Sequence, residues 1–224
     1  MKESPILFNG DMVRAILDGR KTQTRRVITN VDGIGKVNEL TPTITPNYGW
    51  DMRDKRGRLY ELFHADLTDR CPLGMVKDRL YVRETFQALF KDGLDFGKCD
   101  YKTGEGYECR YMATEPATEF YDVYKNKSSC ASIPSIHMPK WAARIWLDII
   151  DVRVQRLQEL TDTDALQEGI AGLDAYGNRP TSVMGQYPNA YRAEFGQLWA
   201  SIYGQQSWDS NPWVWAITFK RVTP

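Results

Sequence analysis

Asp11-Met12-Val13-Arg14-Ala15-Ile16-Leu17-Asp18-Gly19-Arg20-Lys21-Thr22-Gln23-Thr24-Arg25-Arg26 is the stretch on which the reading of this chain turns. Met12, Ala15 and Ile16, with Leu17 beside them, recur at helical spacing and predict a short amphipathic helix. Asn9 or Asp11 stands where a side chain caps the free amides of its first turn. Gly19 fits the C-terminal cap, where a left-handed backbone costs glycine little. Beyond it Lys21-Thr22-Gln23-Thr24, polar and partly β-branched, predicts an extended segment at the surface or along a pocket. Arg14, Arg20, Lys21, Arg25 and Arg26 crowd positive charge around the hydroxyls of Thr22 and Thr24.

The chain as a whole does not share that charge. Its 224 residues carry 29 Lys and Arg against 29 Asp and Glu, a formal net charge of zero. A protein that grips long duplexes through many phosphates is usually basic. Composition therefore points to a small ligand, a single nucleotide or a short stretch of strand. The length suffices to bury a core without staples, and one domain with insertions is expected. Seven Trp and twelve Tyr fit two uses, as rings filling a sheet core or as surfaces stacking on planar ligands such as bases. Cys71, Cys99, Cys109 and Cys130 contain no CxxC pair, and His64 and His137 add no close ligand pair, so no metal is expected. No leader-like start or membrane-length apolar run is visible, which implies no membrane partner and a reducing, cytoplasmic setting.

Working outward, Ile6-Leu7-Phe8 predicts a first strand feeding the helix. Residues 29–58, rich in Gly, Pro, Asn and Asp, read as a long loop insertion, and 87–136 as a second, with a strand at Glu108–Ala113. In Leu80–Phe86 the alternation puts Leu80, Val82, Glu84 and Phe86 on one face, where Glu84 is an anomaly that could pair with an arginine of the first motif. Ile145–Val154 predicts a long strand with a bend near Asp151. Thr161 and Asp164 form a capping box for a helix that stops at Gly169, and Ala190–Ile202 predicts another. Trp213–Phe219 closes the chain as a strand. Few crossover helices separate these strands, so the expected class is α+β: a mostly antiparallel, curled sheet or small barrel with helices packed outside.

No phosphate-binding glycine loop, dinucleotide fingerprint or zinc-protease helix is present. Lys21 and Thr24 remain. A threonine hydroxyl is a poor nucleophile until a base takes its proton, and lysine serves as that base only when burial or nearby cations lower its pKa. Arg20, Arg25 and Arg26 could supply the repulsion. Three apart in a regular strand, Lys21 and Thr24 would face opposite sides, so they converge only if Lys21 lies in the turn before the strand. A solvated, charged strand start is the alternative reading. Glu168 is fixed in direction by Gly169 immediately after it, and Trp141 and Trp213 stand at strand entrances, able to stack on a ligand or to plug the core.

Gly19–Arg26 resembles the signature of the ASCH family, within the PUA-like group of small β-barrels. Asp78–Thr85, Met138–Arg144, Val152–Thr161 through Ile170, and Asn211–Trp215 are similar to the long, prophage-encoded branch of that family. The resemblance implies a PUA-like small, mostly antiparallel β-barrel with two insertions and a cleft for RNA or a modified base. It also implies an amidohydrolase acting on an N4-acetylcytidine-like nucleoside, with Thr24 as nucleophile, Lys21 as its activating base and Glu168 as proton shuttle. Arg26, Glu84, Trp141 and Trp213 are the expected substrate contacts, and no cofactor is required. The expected partner is a modified nucleoside or short nucleic acid. The alternatives are a non-catalytic RNA, DNA or modified-base binding module of prophage origin, or a structural phage protein.

Overall fold

The computed structural model describes residues 1–43, 49–90, 100–115, 120–122, 127–129, 132–170 and 190–223. In chain order its elements are β1 (Glu3–Leu7), α1 (Gly10–Leu17), β2 (Gln23–Val27), β3 (Asn30–Val31), β4 (Gly35–Pro42), β5 (Trp50–Asp54), β6 (Leu59–Leu62) and α2 (His64–Asp69). Then come β7 (Arg79–Arg83), β8 (Phe86–Phe90), β9 (Tyr107–Tyr111), β10 (Phe120–Asp122), β11 (Lys127–Ser129) and β12 (Trp146–Arg156). Three helices, α3 (Asp162–Gln167), α4 (Ala190–Tyr203) and α5 (Gln205–Asp209), precede the last strand, β13 (Trp213–Val222). Among the described residues no helix is long and apolar enough to cross a membrane.

The central sheet runs β1-β7-β12-β13-β2. β1 lies parallel to β7, and the other neighbours are antiparallel. Its spine is the long β12–β13 pairing, from Trp146 opposite Val222 to Arg156 opposite Trp213, with the register slipping between Ile149 and Asp151 where a bend was expected. β2 adds to β13 with Thr24 opposite Ile217 and Arg26 opposite Trp215.

This sheet is open, which corrects the expected PUA-like barrel. A barrel closes only when its first and last strands share a hydrogen-bond ladder. Here β1 and β2 are the two edges, and no ladder joins them. Pro5 sits in β1, an edge being where a sheet tolerates a residue without an N–H. Side chains span the seam instead. Arg26 Nη2 donates to the Leu7 carbonyl at 3.0 Å, and its guanidinium lies 5.4 Å from the centre of the Phe8 ring.

The expected loop at 29–58 is the second difference. It holds most of an antiparallel sheet in the order β3-β4-β5-β6. In β5 the buried residues Trp50, Met52 and Asp54 alternate with Asp51 and Arg53. Val31, Leu40, Trp50, Met52 and Leu62 join one core with Ile6, Phe8, Leu80, Val82, Ile149, Trp215 and Ile217 of the central sheet. Within 87–136, β8 pairs with β9 and β10 with β11. The four sheets stay separate. A second cluster, Leu157, Leu160, Ala165, Tyr191, Phe195, Trp199 and Val214, packs α3 and α4 against the far side of β13.

Candidate functional site

Local signals set the two ends of the site. Asn9 caps α1, its side-chain oxygen accepting from the Met12 amide at 2.9 Å. α1 stops at Asp18, and Gly19 takes φ +75°, the left-handed backbone that glycine adopts without penalty. The amides of Arg20 and Lys21 both return to the Ala15 carbonyl at 2.9 Å, so Lys21 lies in the turn before β2. Across from it, Thr161 and Asp164 form the capping box that starts α3. That helix ends at Glu168, followed by Gly169 with φ +91°. The Thr22 amide donates to the Gln167 carbonyl at 2.8 Å, and Lys21 and Glu168 form an antiparallel bridge. A Cβ on Gly169 would come within 3.0 Å of the Cβ atoms of both Ala15 and Lys21, so only glycine allows this approach. The end of α3 is thereby stitched to the start of β2.

The side chains complete the contact. Lys21, 2% exposed, donates from Nζ to Glu168 Oε2 at 2.8 Å and to the Glu168 carbonyl at 2.7 Å. Arg25 Nη1 donates to the other carboxylate oxygen, Oε1, at 3.1 Å and to Gln23 Oε1 at 2.6 Å. Its Nη2 lies 3.3 Å from Asp164 Oδ2. Thr24 is fully buried, and its hydroxyl accepts from Arg26 Nη1 at 2.9 Å. Among the described residues no hydrogen bond joins Lys21 to Thr24. The Lys21 ammonium nonetheless lies 5.5 Å from the centre of the Phe8 ring, the same ring that carries Arg26.

Lys21 and Arg25 thus face two carboxylates, Glu168 and Asp164, and Arg153 Nη2 lies 3.6 Å from Asp164 Oδ1. Burial pulls the Lys21 pKa below its ordinary value; the Glu168 carboxylate opposes this, and the charges of Arg26 and Arg25 add to it. Burial outweighs the partner. Buried ion networks repay their desolvation poorly as stabilising devices, and strongly shifted groups gather at functional sites.

Arg26 also walls two hollows. One, of about 500 Å³, opens in the seam between the edges, with Pro5, Ile6 and Leu7 of β1 on one side, Arg26 and Val27 of β2 on the other, and Arg83, Trp215 and Tyr203 around it. Its volume falls in the range of small-molecule sites. The other, of about 380 Å³, lies against Phe8, Asn9, Thr85 and Tyr203. Lys21, Thr24 and Glu168 line neither; of the three, Thr24 is bonded to Arg26.

Lys21, Thr24, Glu168 and Arg26 are therefore brought together. Glu84, Trp141 and Trp213 are not. Buried Glu84 takes a two-pronged bond from Arg144, Nε to Oε1 at 2.9 Å and Nη2 to Oε2 at 3.0 Å, so its partner is not an arginine of the first motif. Arg144 lies 4.0 Å over the Tyr111 ring. Trp141 donates to the Tyr101 carbonyl at 2.8 Å and meets the Tyr101 ring edge-on. Trp213 is wedged between the edge of Trp50 at 4.7 Å and the guanidinium of Arg156 at 4.2 Å. Both indoles serve packing. Sequence reasoning missed the acidic partner role of Asp164, the cleft residues Arg83, Tyr203 and Trp215, and Phe8 in the second hollow. For Trp215 the alternation with Trp213 and Ile217 was signal enough for a strand face, but not for which side the cleft takes.

No family model matches the chain, nor does any curated protein or any solved structure. With the sheet open, nothing supports placing the chain in the ASCH or PUA-like group, whose name implies a closed barrel, nor the hydrolase identity borrowed from that likeness. What remains is the geometry and its chemistry.

Proposed function

We propose that the cleft between β1 and β2 takes a flat, nucleoside-sized ligand bearing an N-acyl group, and that Thr24 cleaves its acyl amide. The observation that carries this reading is the buried Lys21–Glu168 pair, which shares the Phe8 ring with the guanidinium that walls the cleft and holds the Thr24 hydroxyl. The ligand's carbonyl oxygen takes over the Arg26 guanidinium, which uncovers Thr24 and later faces the charge that develops on that oxygen. Thr24 attacks the carbonyl carbon as its proton passes to the neutral amine of Lys21, the form that burial favours. The tetrahedral adduct expels the exocyclic amine, which collects a proton from the Lys21–Glu168 pair. Water then attacks the threonine ester and gives a proton to the pair; the adduct collapses to the free acid as the pair returns that proton to the departing Thr24 oxygen.

A second reading, recognition of the ligand without turnover, is favoured by one observation: Thr24 is wholly buried. The two separate in one experiment. N4-acetylcytidine and related N-acyl nucleosides are incubated with wild type, Thr24→Ala and Arg26→Ala, and free nucleoside and acid are followed by chromatography. Hydrolysis by wild type and its loss in Thr24→Ala is the expected result. Equal product from wild type and Thr24→Ala overturns the threonine as nucleophile. Saturable binding by wild type with no product leaves recognition as the function.

A further inference from the structure

Two hairpins end side by side on the second sheet. β3 turns into β4 through residues 32–34, and β5 turns into β6 through residues 55–58. β4 pairs with β5, and the Lys55 amide donates to the Lys36 carbonyl at 3.3 Å, so the two ends are tied together. Asp54 builds the second turn. It is buried, and its Oδ1 accepts the amides of Arg56 at 2.8 Å and Arg58 at 3.0 Å. Its Oδ2 accepts from Arg58 Nε at 2.8 Å and from the Tyr60 hydroxyl at 3.3 Å. Both oxygens are thereby used up within the turn. A hollow of about 450 Å³ opens here, with Lys36, Lys55, Arg56 and Arg58 around that one carboxylate. Lys36, Lys55 and Arg56 are exposed and have no carboxylate within ion-pair reach among the described residues. The hollow shares no lining residue with the seam cleft. A protein of zero net charge has gathered unbalanced cations around one concave surface, where a field is focused and anions concentrate.

We infer that this hollow binds a compact polyphosphate, two or more phosphates joined in a row, between the β3–β4 and β5–β6 turns. The charge count selects the ligand. A single phosphate carries about −1.5 to −2, too little for three unpaired cations spread over two turns, whereas a chain of phosphates matches them. The guanidinium of Arg56 offers a two-pronged bond to one phosphate, and the ammonium groups of Lys36 and Lys55 act as point charges on the next. Arg58 spends Nε on Asp54, and its terminal nitrogens make no hydrogen bond among the described residues. No aromatic ring lines the hollow, so the phosphates themselves, rather than a base attached to them, carry recognition. The inference rests on this hollow and its charges alone and stands apart from the reading of Thr24.

The test is isothermal titration calorimetry of the full chain with sodium tripolyphosphate, pyrophosphate and orthophosphate at low salt. Saturable binding is expected, tightest for tripolyphosphate and weakest for orthophosphate. In the double variant Lys55→Gln, Arg56→Gln tripolyphosphate binding weakens at least about tenfold, the loss of a charge-assisted bond, while the melting temperature holds. Lys36→Gln, on the other hairpin, weakens it as well. A control, Lys102→Gln with Lys220→Gln, removes the same charge from exposed positions outside the hollow and leaves the affinity unchanged. Absence of saturable binding overturns the inference, as does orthophosphate binding as tightly as tripolyphosphate. An equal loss in the control and in the Lys55–Arg56 variant overturns it too, because net charge and not this hollow would then set the affinity. ATP separates the two sources of such a group. Affinity no greater than that of tripolyphosphate is expected, and ATP binding more than about tenfold tighter overturns recognition by phosphates alone, since stacking of a base is worth that much.

Discussion

Glu168 and Glu84 are both buried carboxylates, and they are held in opposite ways. Glu84 gives both oxygens to one guanidinium, Arg144, which is itself propped on Tyr111. Glu168 divides its oxygens between two cations, Lys21 and Arg25, and lines no hollow itself. A two-pronged pair is geometrically saturated and has no proton to give away. A shared carboxylate beside a lysine whose charge is disfavoured by burial can pass a proton and remain paired. The contrast separates a clamp from the relay proposed above.

The sharpest way to break that contrast is to remove one cation from each. Lys21→Met takes away the proposed base but leaves Glu168 bonded to Arg25, so kcat should fall by about 10²- to 10⁴-fold with little change in melting temperature. Comparable turnover in this variant would mean that Lys21 is only a strut. Arg144→Met leaves Glu84 as an unpaired buried charge, a loss of about 3 kcal/mol in folding free energy read by denaturant titration, with turnover per folded molecule unaltered. A cost near zero would place Glu84 in a wetter setting than the structure gives it.

The smallest effect concerns pH. In the proposed mechanism the neutral amine of Lys21 is the form that accepts the Thr24 proton, so kcat rises as pH rises through the Lys21 pKa. Burial holds that pKa below the ordinary 10.5, and the midpoint of the rise should lie below 10.5 as well. Arg25→Gln removes one of the charges that lower it and should move the midpoint upward. A flat profile would detach Lys21 from the chemistry.

What could be read along the chain was what short-range rules decide. The Asn9 cap, the stop at Gly19, the Thr161–Asp164 box and the turn at Gly169 depend on residues three or four apart. The bend near Asp151 became a register slip in the expected place. What failed depends on which strand finds which. Alternation in Ile6–Phe8 and Gln23–Val27 announces strands, but says nothing of whether those two edges pair with each other, and the barrel expectation hung on that. Trp50 and Met52, alternating with Asp51 and Arg53, did carry a strand signal, hidden among the glycines and prolines that made 29–58 read as loop. Glu84 could be seen as out of place; its partner, sixty residues on at Arg144, could not.

Gly169 deserves a last consequence. The spot where two helices and a strand meet is spanned by a residue with no side chain, and a single added carbon there would strike both Ala15 and the stem of Lys21. The reach of the ammonium is therefore gauged by an atom that is missing: fill that gap and the lysine is levered off its glutamate before any charged group has been touched.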